Sequence, residues 1–293
     1  MSEVIDATPS PLKVHRGTPL KISEIAQITR REYTPIIFLA GDVKSGKTTL
    51  LGSIDDAFQF GPLAGYNFAW SETLVGFEER CFESRVRSGR AVADTPRTQP
   101  QEGQEFFHLR VRKNPSTPLR ELLFADMSGE FYERAVKYAT ELKEREFEIL
   151  PRCDYFVLLL DGEKLLDLGQ RQEVRRDGLT FLQRCREAKL LRSETVLQVM
   201  VSKWNIVARR SEAEQETCRN FITSHFNKTA LLREVEVITI ASRPDSESQG
   251  IDKLFGVKEI FPRWVESVLP ILRPTEYNPM KPIARKMFSR ITA

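Results

Sequence analysis

The chain has no C-x-x-C pair and no cluster of cysteine with histidine. Its four cysteines (Cys81, Cys153, Cys185, Cys218) stand far apart, and its three histidines (His15, His108, His225) are scattered. A thiolate metal site needs ligands paired a few residues apart, so the spacing argues against such a site and reduced thiols in a cytoplasmic protein are the simplest reading. The histidines suggest no catalytic group. No apolar run approaches the ~20 residues of a membrane span, and the polar start has no signal-peptide core. A charge excess is missing too: 44 basic residues face 41 acidic ones, a net charge of +3, which gives no support for a nucleic-acid-coating protein. No repeats or low-complexity tracts stand out. What is present is 293 residues, 41% hydrophobic and 29% charged, enough to pack one large core or two small ones.

The most informative stretch is Gly41-Asp42-Val43-Lys44-Ser45-Gly46-Lys47-Thr48, a full match to G-x-x-x-x-G-K-[ST]. Ile36 to Ala40 before it is an unbroken apolar run, as expected of a buried parallel strand. Thr48, Thr49, Leu50 and Leu51 open a helical stretch after it. The glycines let the backbone curl so that successive N–H groups face one anion, and the helix N-terminus adds partial positive charge. Lys47 can reach β- and γ-phosphates, and Thr48 can place a hydroxyl on Mg²⁺.

Strand and helix patterns alternate along the rest of the chain. Helices are expected over 48–60, 72–86, 133–150, around Val174 to Ala188, after the Ser211/Glu214 capping box, and over 251–268. Strands are expected over 105–112, 119–125, 154–161, 196–201 and 235–240, the first two as an antiparallel hairpin at the sheet edge. This order predicts an α/β fold: a three-layer P-loop sandwich with a mostly parallel, doubly wound sheet and one antiparallel edge strand. Residues 1–33 read as an N-terminal arm with one short amphipathic piece, 34–272 as the P-loop domain with an insertion over 61–103, and 273–293 as a basic tail. Sheets of this type bind ligands at the carboxyl ends of their strands. The phosphate loop, Asp126, Lys203 and Ser242 all fall at such ends.

Asp126 closes an apolar strand, where P-loop proteins hold Mg²⁺ through a carboxylate. Gly129, three residues on, can turn its N–H toward a γ-phosphate. With this D-x-x-G spacing the chain resembles the TRAFAC class of GTPases, Asp126 to Gly129 standing as switch II. The resemblance implies that Glu130, glutamine in Ras-like GTPases, orients the attacking water, with Lys47 and a switch I threonine completing the catalytic set. Thr95 and Thr98 both qualify as that threonine and as a metal ligand, and Thr98 is preferred. Arg90 and Arg97 lie close by. Lys44 occupies the place that supports a potassium ion in cation-dependent relatives, and Val43 crowds the entry of an external arginine finger.

In the resembled GTPases [NT]-K-x-D reads guanine; here the stretch is Ser202-Lys203-Trp204-Asn205. The Lys203 stem would cover the base. Asn205 can accept from N1–H of guanine, but its amide meets the exocyclic amine with a second donor. An unpaired buried donor costs about 1–3 kcal/mol, roughly tenfold or more in selectivity, and an amide suits xanthine better. Ala241-Ser242-Arg243 resembles the loop whose backbone N–H reads the guanine oxygen.

The closer resemblance is to the bacterial double-GTPase family. It rests on the G-D-V-K-S-G-K-T-T-L-L loop, D-T-P-R-T, A-D-M-S-G-E and D-Y-F-V-L-L-L-D-G-E-K-L. It implies a Mg²⁺-dependent switch that binds GTP and GDP, hydrolyses GTP slowly, and works with a second GTPase or an activating-type protein in conflict systems. No nucleic acid is expected as partner. The rival readings are an ATPase or nucleotide kinase, with Asp126 as a Walker B carboxylate, and a non-catalytic subunit that nucleotide stabilises.

Overall fold

A computed structural model describes residues 17–86, 104–138, 147–227, 234–244 and 250–267. Among them seven strands form one sheet in the order β2-β3-β4-β1-β5-β6-β7. The strands are β1 (Ile36–Gly41), β2 (Asn67–Trp70), β3 (Glu105–Arg112), β4 (Arg120–Asp126), β5 (Tyr155–Asp161), β6 (Val196–Ser202) and β7 (Glu234–Thr239). From β4 to β7 every pairing is parallel, while β3 runs against both β4 and β2. The mostly parallel doubly wound sheet is therefore as expected.

All six positions of β1 are buried, because helices cover both faces of the sheet. Side chains alternate across a strand, so Phe38 and Ala40 face one core, Ile37 and Leu39 the other. On the first face Phe38 stacks on Phe156 at 5.6 Å. That face is covered by α1 (Ile22–Thr29), α4 (Gly129–Lys137), α6 (Arg171–Glu187) and α8 (Glu212–Phe226). On the second lie α2 (Lys47–Phe60), α3 (Leu74–Val86) and α9 (Val257–Val265). There the buried indole N–H of Trp264 donates to Gln198 Oε1 at 2.8 Å.

Several boundaries differ from the sequence pattern. Helix α4 begins at Gly129 because the Ser128 hydroxyl caps it, accepting from Glu130 N at 3.2 Å; it ends where Tyr138 turns extended. Residues 139–146 of the expected helix lie outside the described residues, and a 3₁₀ turn with Pro151 follows at Leu150–Arg152. Helix α9 begins six residues late, since Leu254 (φ 60°) and Gly256 (φ 73°) are left-handed and cannot continue a helix. Short helices α5 (Gly162–Leu166) and α7 (Trp204–Val207) stand where the sequence pattern marked no helix.

The insertion contributes β2, which the pattern did not show. It is a short edge strand with Phe68 and Trp70 exposed, so no apolar alternation marks it. It sits outside the β3–β4 hairpin. A buried polar cluster ties the β2–α3 connection to β3: Ser71 Oγ donates to the His108 carbonyl at 2.6 Å, and Glu72 N donates to His108 Nδ1 at 3.0 Å. Nδ1 thus accepts, so Nε2 carries the proton it gives to Glu121. Arg110 closes on the same carboxylate. Burial alone would raise the Glu121 pKa, but the bonds from His108 and Arg110 outweigh it and hold it at about 2. The N-terminal segment packs on the sheet as well. Leu20 exchanges two 2.9 Å backbone bonds with Phe106, extending the β3 edge beyond its pairing with β2.

Candidate functional site

The residues from 41 to 46 join β1 to α2. Gly41 needs to be glycine: at φ 149°, a Cβ there would lie 2.6 Å from the Leu159 carbonyl oxygen and 2.7 Å from Ser45 Oγ. Lys44 (φ 63°) and Gly46 (φ 99°) are left-handed, the alternation that turns successive N–H groups to one side. The Lys44 conformation carries strain of order 1–3 kcal/mol, which chains retain at functional sites.

Lys47 is the first residue of α2 and is buried. Its ammonium donates to the Gly41 carbonyl at 2.7 Å and the Asp42 carbonyl at 3.0 Å. Burial lowers its pKa to about 8, although the Asp126 and Asp42 charges oppose the fall. Thr48 and Thr49 follow in the first turn, both half-buried.

Asp126 ends β4 directly beside Leu39 of β1. It is 2% exposed, and among the described residues neither carboxylate oxygen has a hydrogen-bond partner. Burial raises its pKa to about 6 against the opposing charges of Arg80 and Lys47. Two orphaned anionic oxygens on one buried group are costly unless a cation meets them. The donor set, a carboxylate with a hydroxyl from the first turn of α2, suits a hard divalent ion such as Mg²⁺ that keeps most of its waters.

Gly129 ties the two loops together. A Cβ on it would lie 2.6 Å from Val43 N and 2.7 Å from Val43 Cα, so the D-x-x-G backbone rests on the phosphate loop itself. Glu130 follows, half-buried, in the first turn of α4.

The opposite end of the site gathers three further loops. Lys203, left-handed at φ 52°, donates to Asp161 Oδ2 at 2.7 Å and Glu163 Oε2 at 3.1 Å. Burial would lower its pKa, but these two carboxylates raise it. Asn205 is 8% exposed within α7. Trp204 N donates to the Ile240 carbonyl at 2.9 Å, which places the Lys203–Asn205 turn against the end of β7, where Ser242 is half-buried. Thus the phosphate loop, Asp126 to Glu130, Lys203 to Asn205 and Ser242 share one edge of the sheet. Thr95, Thr98, Arg90 and Arg97 lie outside the described residues.

The sequence pattern assigned no role to Asp161, Glu163 and Lys164. Asp161 caps α5, accepting from Glu163 N at 3.0 Å, and Lys164 Nζ reaches Asp42 Oδ2 at 2.6 Å. Asp42 Oδ1 accepts from Val43 N at 2.7 Å, so the phosphate loop is held from the β5 side. The available signal was an acid and glycine closing the strand next to β1.

A glycine loop between a central strand and its helix, an aspartate at the neighbouring strand end and a glycine three residues on define a P-loop nucleotide-binding fold of the GTPase class. The chain belongs to the Double-GTPase 2 family, whose pattern matches residues 35–265. No curated protein matches it in sequence. Solved structures with a similar fold include the signal recognition particle receptor SRb-GTP/SRX complex from Chaetomium thermophilum. It is 17% identical with a TM-score of 0.39, over 74% of this chain and 94% of that one. The S. cerevisiae Ski7 GTPase-like domain bound to GDP and inorganic phosphate is 13% identical (TM-score 0.46; 83% of this chain, 52% of that one). A GTP-binding protein from Sulfolobus solfataricus in complex with GDP is 12% identical (TM-score 0.40; 83% and 55%). The chain spans about half the length of the yeast and archaeal chains. At this distance the likeness carries no residue roles. Among the described residues no helix is long and apolar enough to cross a membrane.

Proposed function

We propose that this chain is a Mg²⁺-dependent guanine-nucleotide switch that hydrolyses GTP slowly and presents a different surface to a protein partner in each nucleotide state. One observation carries the reading: Asp126 is buried beside the phosphate loop with both oxygens unpartnered among the described residues. A carboxylate is kept in that condition where a cation belongs. Asp126 and Thr48, with a switch I threonine at Thr98 or Thr95, would hold Mg²⁺. The ion supplies charge neutralisation to the β- and γ-phosphates when bound.

The loop amides from Asp42 to Thr49 and the Lys47 ammonium grip the polyphosphate. Gly129 offers its N–H to the γ-phosphate, and Glu130 orients the attacking water. The contact of Gly129 with Val43 supports the switch: a group accommodated at the loop must be felt at the start of α4. Lys203 covers the base, Asn205 reads its edge, and the Ser242 loop offers a backbone N–H. The partner is a second GTPase or an activating-type protein, as the resemblance to conflict-system GTPases implies.

The test is calorimetric titration of GTP, XTP and ATP in Mg²⁺ and in EDTA, with single-turnover hydrolysis of whichever binds. GTP binding that EDTA weakens at least tenfold, followed by slow release of phosphate, is expected. Tighter binding of ATP would replace this reading with an ATPase or kinase, and binding without turnover would leave a nucleotide-stabilised subunit. Asn205 favours one variant reading, in which XTP competes with GTP because an amide complements both edges of xanthine.

A further inference from the structure

A cavity of about 250 Å³ opens between α4, the carboxyl end of β5, α5 and α6. It shares only Asp42 with the phosphate loop. Five of its walls are carboxyl side chains (Asp42, Glu133, Asp161, Glu173 and Asp177) against the two ammonium groups of Lys137 and Lys164. Part of that charge is answered elsewhere: Lys164 reaches Asp42 at 2.6 Å and Lys203 reaches Asp161 at 2.7 Å. Arg176 meets Asp177 at 3.1 Å and Glu173 at 3.5 Å, but its side chain is 65% exposed, so those contacts are screened. Glu133 and Asp42 bring two carboxyl groups together, and burial first, then Asp42, raises the Glu133 pKa.

A second observation points to a ligand. Tyr132 is 3% exposed, its ring packed 4.9 Å from Phe181, and it lines this cavity near Asp177 and Asp42. Among the described residues no hydrogen bond reaches its hydroxyl, although the side chain is almost wholly buried and borders the cavity. A ligand group entering the cavity could hydrogen-bond to that hydroxyl, which the described residues leave unused. Gln170 and apolar side chains, Val136 and Val174 among them, make up the remaining walls. Among the described residues no acids converge closely enough to hold a metal ion. The cavity is also smaller than the roughly 300–1,000 Å³ of sites for whole small molecules. A planar cation with several donors on an alkyl stem fits these features: the fork reaches separate carboxylates and the stem lies on the valines.

We propose that this cavity takes an alkylguanidinium group, from an arginine side chain of a protein partner or a free small guanidine, and that its occupation alters nucleotide affinity through Asp42. The coupling rests on the nucleotide-switch reading; the binding does not. In the full chain labelled with ¹⁵N and free of nucleotide, agmatine and a capped Gly-Arg-Gly peptide are titrated, with choline at equal ionic strength as control. Agmatine or the peptide should shift the amides of Tyr132, Val136 and Asp177 saturably. Asp177→Asn and Tyr132→Phe should each weaken binding at least threefold; the second keeps the ring packing and so serves if the first fails to fold. Tighter binding of the peptide assigns a partner side chain, and binding of agmatine alone assigns a free guanidine. Equal shifts with choline, or variants that bind like the parent, would overturn the site. Saturating agmatine should then change GDP affinity at least threefold in the parent and not in Asp177→Asn. An unchanged GDP affinity overturns the coupling, and a failure to bind any guanine nucleotide overturns the switch reading while the agmatine result stands.

Discussion

Replacing Asp126 by asparagine should make the ligand-free protein more stable. The carboxyl ionises near pH 6 in the fold against an ordinary aspartate value of 3.8. A group whose folded pKa is raised leaves stability intact below 3.8 and removes it as pH climbs through 6. Ionised at pH 7.5, it costs about 3 kcal/mol by linkage. Asparagine keeps the shape and a neutral polar head, so the variant resembles the protonated parent. Lys47 loses an attractive neighbour in the exchange, which makes ~3 kcal/mol a ceiling. For a domain of this size that is about 6–12 °C in Tm. The assay is thermal unfolding of both proteins in EDTA from pH 4 to 8. The advantage of Asp126→Asn should be largest above pH 7 and fall well below ~1 kcal/mol at pH 4. Mg²⁺ with GTP at a hundredfold over Kd should add about 2.7 kcal/mol to the parent and almost nothing to the variant, so the order narrows or reverses. A variant less stable than the parent in EDTA at pH 7.5, or a gain equal at pH 4 and 7.5, would refute the reasoning.

Gly129→Ala places a methyl 2.6 Å from Val43 N, a backbone atom that cannot swing aside; GTP affinity measured by fluorescent-nucleotide titration should drop at least tenfold. Asn205→Asp restores two acceptors toward the guanine edge and should move the GTP:XTP affinity ratio toward GTP by about 1–3 kcal/mol, read by calorimetry. Glu121 ionises near 2 in the fold against an ordinary 4.5, so its contribution is present above pH 4.5 and lost as pH falls through 2. Glu121→Gln should therefore cost about 3 kcal/mol at pH 7 in urea unfolding, with the deficit closing near pH 2.

The fold was readable where one face or one chemistry dominated. The unbroken apolar runs of β1 and β5 announced buried parallel strands, and the glycine loop fixed which strand is central. Elements set by tertiary contact were not. Nothing in Asn67–Trp70 alternates, because β2 borrows its place from β3 and leaves Phe68 and Trp70 exposed. The start of α9 depends on left-handed backbone at Leu254, which no side-chain pattern encodes. At the site the phosphate loop, Asp126 and Gly129 could be found by spacing alone. The Asp161–Lys203 and Lys164–Asp42 pairs could not, since they join residues 42 and 122 positions apart. His108 looked idle in sequence and proves to fasten the β2–α3 connection to the sheet.

The site residues share an energetic condition. Lys47 ionises near 8 in the fold against an ordinary lysine value of 10.5, so below pH 8 its charged form weakens the fold by about 3 kcal/mol, a deficit that closes as pH rises toward 10.5. Asp126 weakens it by a similar amount above pH 6, and Lys44 adds backbone strain. The two charges attract each other, so the deficits overlap rather than sum. The remedy for each is specific: an anion at the loop restores the Lys47 ammonium, and a cation restores the Asp126 carboxylate. Neither alone relieves both, whereas a polyphosphate with its divalent ion does. On the proposed reading that pairing would make binding of the metal and the phosphate chain mutually reinforcing at a single edge of the sheet. It also explains why the Val43–Gly129 contact matters. On the proposed reading the relieved charges would lie beside the close approach of Gly129, at the start of α4, to Val43 of the phosphate loop, so the free energy released on binding would reach α4.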